Sequence, residues 1–282
     1  MSRLARALDR LGARPALAAA LALAYAVVSI AAHERVNQAV RSLQQAAGPG
    51  SFLFAVAALS AALVAAVAFA IVRQPPPRRI QLAAGFALWI AAAALAWRYL
   101  FTVVSEGVHY PQYALLTILL FPLTGRIGAA MAAANLVGIL DEANQFWILH
   151  PDWGIYLDWN DIVLNGLGAL LGGLLLALVG VSAPGRPRRA PALAFAATAL
   201  LLGGAALLVA TGAIALRTPA GRGRPPQAWT VLDRSDTSAQ PFWVTAEWAQ
   251  KRYHVLQSEA GAALLALFTA FVYAVDRRER PG

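Results

Sequence analysis

DEANQFWILHPDWGIYLDWNDIVLNG, Asp141 to Gly166, sets five carboxylates (Asp141, Glu142, Asp152, Asp158 and Asp161), together with His150 and several amides, between two long apolar runs. Charge next to hydrocarbon is expensive unless it is paired or faces water. What lies on either side of the stretch therefore decides how it is read. Of the 282 residues, 59% are apolar and 13% charged, against roughly a quarter charged in ordinary soluble domains. The chain reads as an integral membrane protein, and the stretch as a polar loop with the two helix ends that flank it.

Working outward, apolar runs close to the ~20 residues needed to cross a bilayer core fall at about 16–32, 52–72, 80–104, 127–147, 161–180, 191–216 and 259–275, with a shorter one at 108–122. The expected fold class is all-α: a polytopic integral membrane helix bundle of about eight transmembrane helices. Proline ends helices and arginine anchors turns at the membrane surface. RQPPPRR (73–79) and APGRPRRAP (183–191) therefore divide the chain into an N-terminal helix pair (1–79), a four-helix core (80–182) and a C-terminal helix pair (183–282). The last carries a long loop at 217–257, whose second half, with Phe242, Trp243, Trp248 and Tyr253, reads as an amphipathic helix in the headgroup layer. Trp153 and Trp159 read as an interfacial belt. The N-terminal arginines and apolar run imitate a signal peptide, but the run is longer than a signal core and reads as a retained span.

Lys and Arg divide unequally between the two sets of loops: 14 of the 23 fall on the side of both termini, where only three of the 14 acids lie. Cytoplasmic loops retain positive charge, so both termini are expected in the cytoplasm of a bacterial cell, with the inner membrane as the location. The basic balance then belongs to a face that meets lipid headgroups rather than nucleic acid. All four histidines and most acids fall on the opposite side. With no cysteine, disulfides, thiolate metal sites and thiol catalysis are excluded.

Residues three, four and seven apart share a helix face. That places Asn135, Gly138, Glu142 and Gln145 on one stripe with Asp141 on its shoulder, Asp161, Asn165, Gly168 and Gly172 on another, and His109 with Tyr113 on a third. Since polar groups facing lipid are costly, the three stripes should face one another. Gly168 and Gly172, spaced as small-xxx-small, would let a neighbouring helix approach. The expectation is a polar pocket at one mouth of the bundle.

EGVHYPQY (106–113), LDEANQF (140–146) and DWNDIVLNGLGALLG (158–172) together resemble the VanZ-like family over about residues 80–180. The resemblance implicates Glu106, His109, Tyr113, Asp141, Glu142, Gln145, Asp161, Asn165, Gly168 and Gly172. It departs from the family in lacking the Pro-Gly-Arg turn that often follows the Gln motif. What it implies is a cell-envelope role linked to teicoplanin-type resistance.

Three readings follow. As an enzyme, the protein would use His109 with Asp141, Glu142 or Asp161 as general acid and base. Glu106, Tyr113, Gln145 and Asn165 would contact a lipid-linked envelope substrate. Carboxylates and amides are hard oxygen donors of the kind Mg2+ or Ca2+ takes, so a divalent cation is one cofactor the cluster would suit. As a non-catalytic accessory protein, it would hold a lipid, glycolipid or partner helix in the same pocket. An ion-coupled transporter ranks last, because the polar groups gather at one face instead of at mid-depth.

Overall fold

The computed structural model describes residues 3–149, 157–181, 190–216, 228, 230–232, 242–246 and 251–278. Among them the chain forms ten α-helices: α1 (Arg3–Gly12), α2 (Pro15–Ala31), α3 (His33–Ala47), α4 (Pro49–Val72), α5 (Pro76–Tyr99), α6 (His109–Thr124), α7 (Ile127–Asn144), α8 (Trp159–Val179), α9 (Ala190–Ala210) and α10 (Ser258–Arg278). A 3-10 turn, Val104–Val108, leads into α6, and a π turn, Gln145–Leu149, ends α7. His150, Asp152 and Trp153 of the opening stretch lie outside the described residues, as do most of the 217–257 loop and its Trp248.

Each of the eight apolar runs lies mostly in a helix, α2 and α4 to α10, although the run at 191–216 outlasts α9 and ends in a short strand, Ile214–Ala215. Five of these, α4, α5, α8, α9 and α10, are long and apolar enough to cross a membrane; α1 and α2, bent by 106°, make a sixth if taken as one span. The chain is thus a helical membrane bundle with five or six spans by length and composition, fewer than the eight expected. The shortfall has local causes. Gly125 stops α6 at 16 residues by adopting a φ of +69°, a conformation that favours glycine, and α7 spends part of its 18 residues on Asn135, Asp141, Glu142 and Asn144.

Around α8 the bundle is built in layers. Just over half (56%) of the most apolar window of α8 is buried against protein, compared with 6% for α4, so α8 is central and α4 presents its sides to lipid. α6 and α7 pack on α8 and on each other, with α2, α5, α9 and α10 outside them. Asp158 starts α8 as a side-chain N-cap, accepting from the backbone N–H groups of Asn160 (2.9 Å) and Asp161 (3.3 Å). This satisfies amides that the first helical turn leaves without partners.

At the opposite end, the arginine turns hold helices together as well as sitting at a surface. The Arg78 guanidinium donates to the Ala177 carbonyl of α8. Arg126 pairs with the wholly buried Asp276 of α10 at 2.6 Å and also donates to its backbone carbonyl. Gly128 leaves room for this, since a Cβ there would stand 2.7 Å from that of Asp276.

Two expectations from the sequence are corrected. The amphipathic helix expected at 240–257 is replaced by an antiparallel strand pair, Val244–Ala246 with Lys251–Tyr253; Val244, Thr245 and Tyr253 are residue types that suit a strand. Trp159 is not an interfacial anchor. It is buried, donates from Nε1 to Ser258 Oγ at 2.9 Å and covers Gly261 of α10. The polar helix α3, HERVNQAVRSLQQAA, follows α2 almost without a break.

Candidate functional site

Close approach of α6 to α8 is what builds the site. A Cβ at Gly168 would stand 2.5 Å from the His109 carbonyl and 2.8 Å from Tyr113 Cβ; at Gly172 it would stand 2.6 Å from the Ala114 carbonyl and 2.7 Å from Thr117 Cβ. Only glycine permits that separation, in keeping with small-xxx-small packing, and the helix it admits is α6. On the other flank Gly138 of α7 makes room for Asn165, whose Cβ would be 2.8 Å from a Cβ at 138.

Between these contacts His109 and Asn165 meet. Both are buried, and His109 Nδ1 lies 2.7 Å from Asn165 Oδ1. The Asn165 Nδ2 group donates to the Gly138 carbonyl at 3.4 Å, which orients the amide and turns Oδ1 toward the imidazole. That arrangement assigns the proton to Nδ1. The other ring nitrogen, Nε2, faces Asp161 Oδ2 at 3.6 Å. A neutral Nε2 and an ionised carboxylate would both be acceptors, so the pair is satisfied by one additional proton on either partner.

A second tier joins α6 to α7. Tyr113 Oη donates to Asp141 Oδ2 at 3.2 Å, and its ring stacks on that of His109 with centroids 6.3 Å apart. Gln145 Nε2 donates to Glu142 Oε1 at 3.1 Å. Asp141 and Glu142 are buried, whereas the Asp161 side chain keeps 18% of its surface exposed. Among the described residues, no group of three or more His, Asp or Glu is arranged to hold a metal ion.

Glu106 is engaged with the backbone just ahead of α6. Its carboxylate accepts from the backbone N–H groups of Thr102 (2.7 Å) and Val103 (3.3 Å), tying down the turn that delivers α6. Burial pushes its pKa up to about 7, the two backbone N–H groups working against the shift and the charge of Asp158 adding to it. Burial pushes the Lys251 pKa below its ordinary value, and the charge of Glu106 works against that shift. Its Nζ donates to the Trp97 carbonyl at 3.1 Å and lies over the Trp97 ring.

Two residues outside the motif reading also belong to this end. Asn160 clasps three backbone groups, donating to the Leu100 (3.0 Å) and His254 (2.8 Å) carbonyls and accepting from the Leu256 N–H (2.9 Å). It lies off the Asp161 stripe, and the only sequence signal for it is its place between Asp158 and Asp161. Asn135 shares the stripe of Gly138 but points elsewhere, toward Gly166 on the α10 side of α8.

Fold and site together define a helical integral membrane protein with a His–Asn–Asp cluster, its His and Asn buried, at one end of its bundle. No family model, curated protein or solved structure matches the chain.

Proposed function

We propose that this is a VanZ-like protein of the bacterial inner membrane, with both termini in the cytoplasm, in which α6 and α7, the one short and the other partly polar, cross the bilayer inside the bundle and bring the five or six evident spans to eight, α2 and α4 to α10. Its His109–Asp161 pocket opens outward and acts on or binds a cell-envelope lipid or glycolipid, in a role linked to resistance against teicoplanin-type antibiotics. The family reading rests on the three motifs in their order along the chain. The observation that carries the chemical reading is the 2.7 Å contact of His109 Nδ1 with Asn165 Oδ1, which leaves Nε2 facing Asp161. A histidine fixed through one nitrogen and set against a carboxylate through the other is equipped to accept and return a proton near neutral pH. The surrounding acids disfavour an anion such as phosphate and favour amines or hydroxyls. The amine- or sugar-bearing part of a lipid-linked molecule is therefore the portion that sits in the pocket.

A second reading, a non-catalytic accessory protein, draws on the depth of Asp141 and Glu142, which are engaged with Tyr113 and Gln145. Comparison of envelope lipids separates the two. Cells carrying the protein are compared with cells carrying His109→Ala or Asp161→Ala at equal membrane abundance. Under the enzymatic reading a lipid species present with the parent protein disappears with both variants, along with any gain in teicoplanin tolerance. Unchanged lipids with lost tolerance support the accessory reading; unchanged lipids and unchanged tolerance overturn both.

A further inference from the structure

The strand Lys251–Tyr253 docks on the last turn of α5, Trp97–Arg98–Tyr99, and brings two further cations to Arg98. Backbone groups hold it there: the His254 N–H donates to the Tyr99 carbonyl, and Lys251 Nζ donates to that of Trp97 at 3.1 Å. Asn160 of α8 donates to the Leu100 and His254 carbonyls and so fixes both segments. Arg98 Cζ lies 4.5 Å from the Trp243 ring centroid and 5.6 Å from that of Tyr99, the two rings being stacked 5.4 Å apart. Arg252 Cζ stands 5.9 Å from the same Trp243 ring, and Lys251 Nζ 4.8 Å from that of Trp97.

One arginine in a last helical turn complements the helix dipole and needs no other cause. Three cations drawn from segments 154 positions apart do, because like charges held together repel. Burial disfavours the Lys251 ammonium most, Glu106 supports it and Arg98 repels it. Three positive charges exceed the roughly half a unit of negative charge at the helix end and the single one of Glu106. Among the described residues no carboxylate lies within ion-pair distance of Arg98, Lys251 or Arg252, and neither guanidinium donates a hydrogen bond. The ring contacts hold each guanidinium in place and leave its fork of N–H donors to an outside acceptor. Both arginines are exposed, as are Trp97 (43%) and Tyr99 (36%) beside them.

Depth chooses the acceptor. α5 is long and apolar enough to cross a membrane and ends at Tyr99, so the cations stand where hydrocarbon gives way to headgroups, the layer in which exposed Trp and Tyr also settle. The anion at that level is lipid phosphate, whose oxygens match an arginine fork. We infer that Arg98, Lys251 and Arg252 together hold the phosphate of an anionic phospholipid of the surrounding leaflet, its chains lying along α5. The site does not depend on the function proposed for the His109 cluster, whose acids repel what these cations attract.

The test uses the full chain in phosphatidylethanolamine vesicles containing a small fraction of phosphatidylglycerol that carries a diazirine on its glycerol headgroup. After irradiation, labelled peptides are mapped by mass spectrometry. Label should concentrate at 97–101, 242–243 and 251–254, and unlabelled phosphatidylglycerol should displace it where phosphatidylcholine does not. Arg98→Gln combined with Arg252→Gln should cut labelling of these segments about thirtyfold, the equivalent of ~1 kcal/mol for each cation removed. Arg35→Gln with Arg41→Gln, an equal loss of exposed charge on α3, should leave it unchanged. Arg98→Lys with Arg252→Lys keeps both charges and should keep most of the label. Label that persists in the glutamine variant, that phosphatidylcholine displaces equally well, or that the α3 variant lowers as far overturns the site. A lysine variant labelled as poorly as the glutamine one overturns charge as the basis of recognition.

Discussion

Gly168 of α8 sits directly beneath the His109 carbonyl of α6, so that a Cβ at this position would stand 2.5 Å from that oxygen. The obstacle is backbone, which cannot swing aside as a flexible side chain can. Gly168→Leu is therefore expected to force α6 away from α8, at a cost of about 3 kcal/mol or somewhat more, the upper end for overpacked interiors. Thermal unfolding in detergent measures it. Gly203→Leu is the control: among the described residues nothing lies within 4 Å of a Cβ at 203, and the melting temperature should hold or rise.

The buried pair at the other end of the bundle makes a second prediction. Arg126→Ala leaves the Asp276 carboxylate without its guanidinium in a setting where it has no exposure, which should cost about 3–5 kcal/mol. The double variant Arg126→Met, Asp276→Leu removes both charges and should be the more stable of the two. Chemical or thermal unfolding of the two variants side by side tests the ordering, and a double variant weaker than Arg126→Ala contradicts it.

Glu106 predicts a pH dependence. Its folded-state pKa stands at about 7 against an ordinary 4.5, so the protonated form is the one the fold favours. Its contribution to stability is fully present below about 4.5 and is lost as pH rises through about 7. Glu106→Gln carries no charge at any pH and should flatten the fall in stability between those values, with melting curves across pH 4.5–7.5 as the measurement. An unchanged slope would remove Glu106 as its source.

Asn160→Ala should loosen the 251–257 segment without disturbing the His109 cluster. It strips partners from the Leu100 and His254 carbonyls and the Leu256 N–H, each costing up to about 1–3 kcal/mol where water cannot replace it. Hydrogen exchange at Leu256 should accelerate by one to two orders of magnitude, while exchange within α6 stays at its parent rate.

Periodicity made the helical membrane class readable, because apolar runs of span length leave few alternatives. It also placed His109, Asp161 and Asn165 on faces that could meet. The choice of α6 as the helix resting on Gly168 and Gly172 was not readable, since small-xxx-small spacing marks a close approach without naming the partner. Nor was the division of labour among the acids. Glu106 and Asp158 hold turns through backbone amides, a role that depends on local dihedral angles, whereas Asp161 faces a side chain from another helix. The Arg126–Asp276 pair joins residues 150 positions apart, beyond the reach of any spacing rule. The strand pair at 244–253 was misread because its alternation is short and its aromatic residues fit a headgroup helix equally well.

Nitrogen-15 spectroscopy of the imidazoles reads directly whether His109 is fixed by Asn165 and turned toward Asp161. Nitrogen-15 spectra of histidine-labelled protein contain four imidazoles, and His109→Gln assigns the one concerned. This ring should carry its proton on Nδ1; Asn165→Leu should abolish the preference, and Asp161→Asn should perturb Nε2 alone. A proton resident on Nε2 with Nδ1 bare, unchanged by Asn165→Leu, would contradict it.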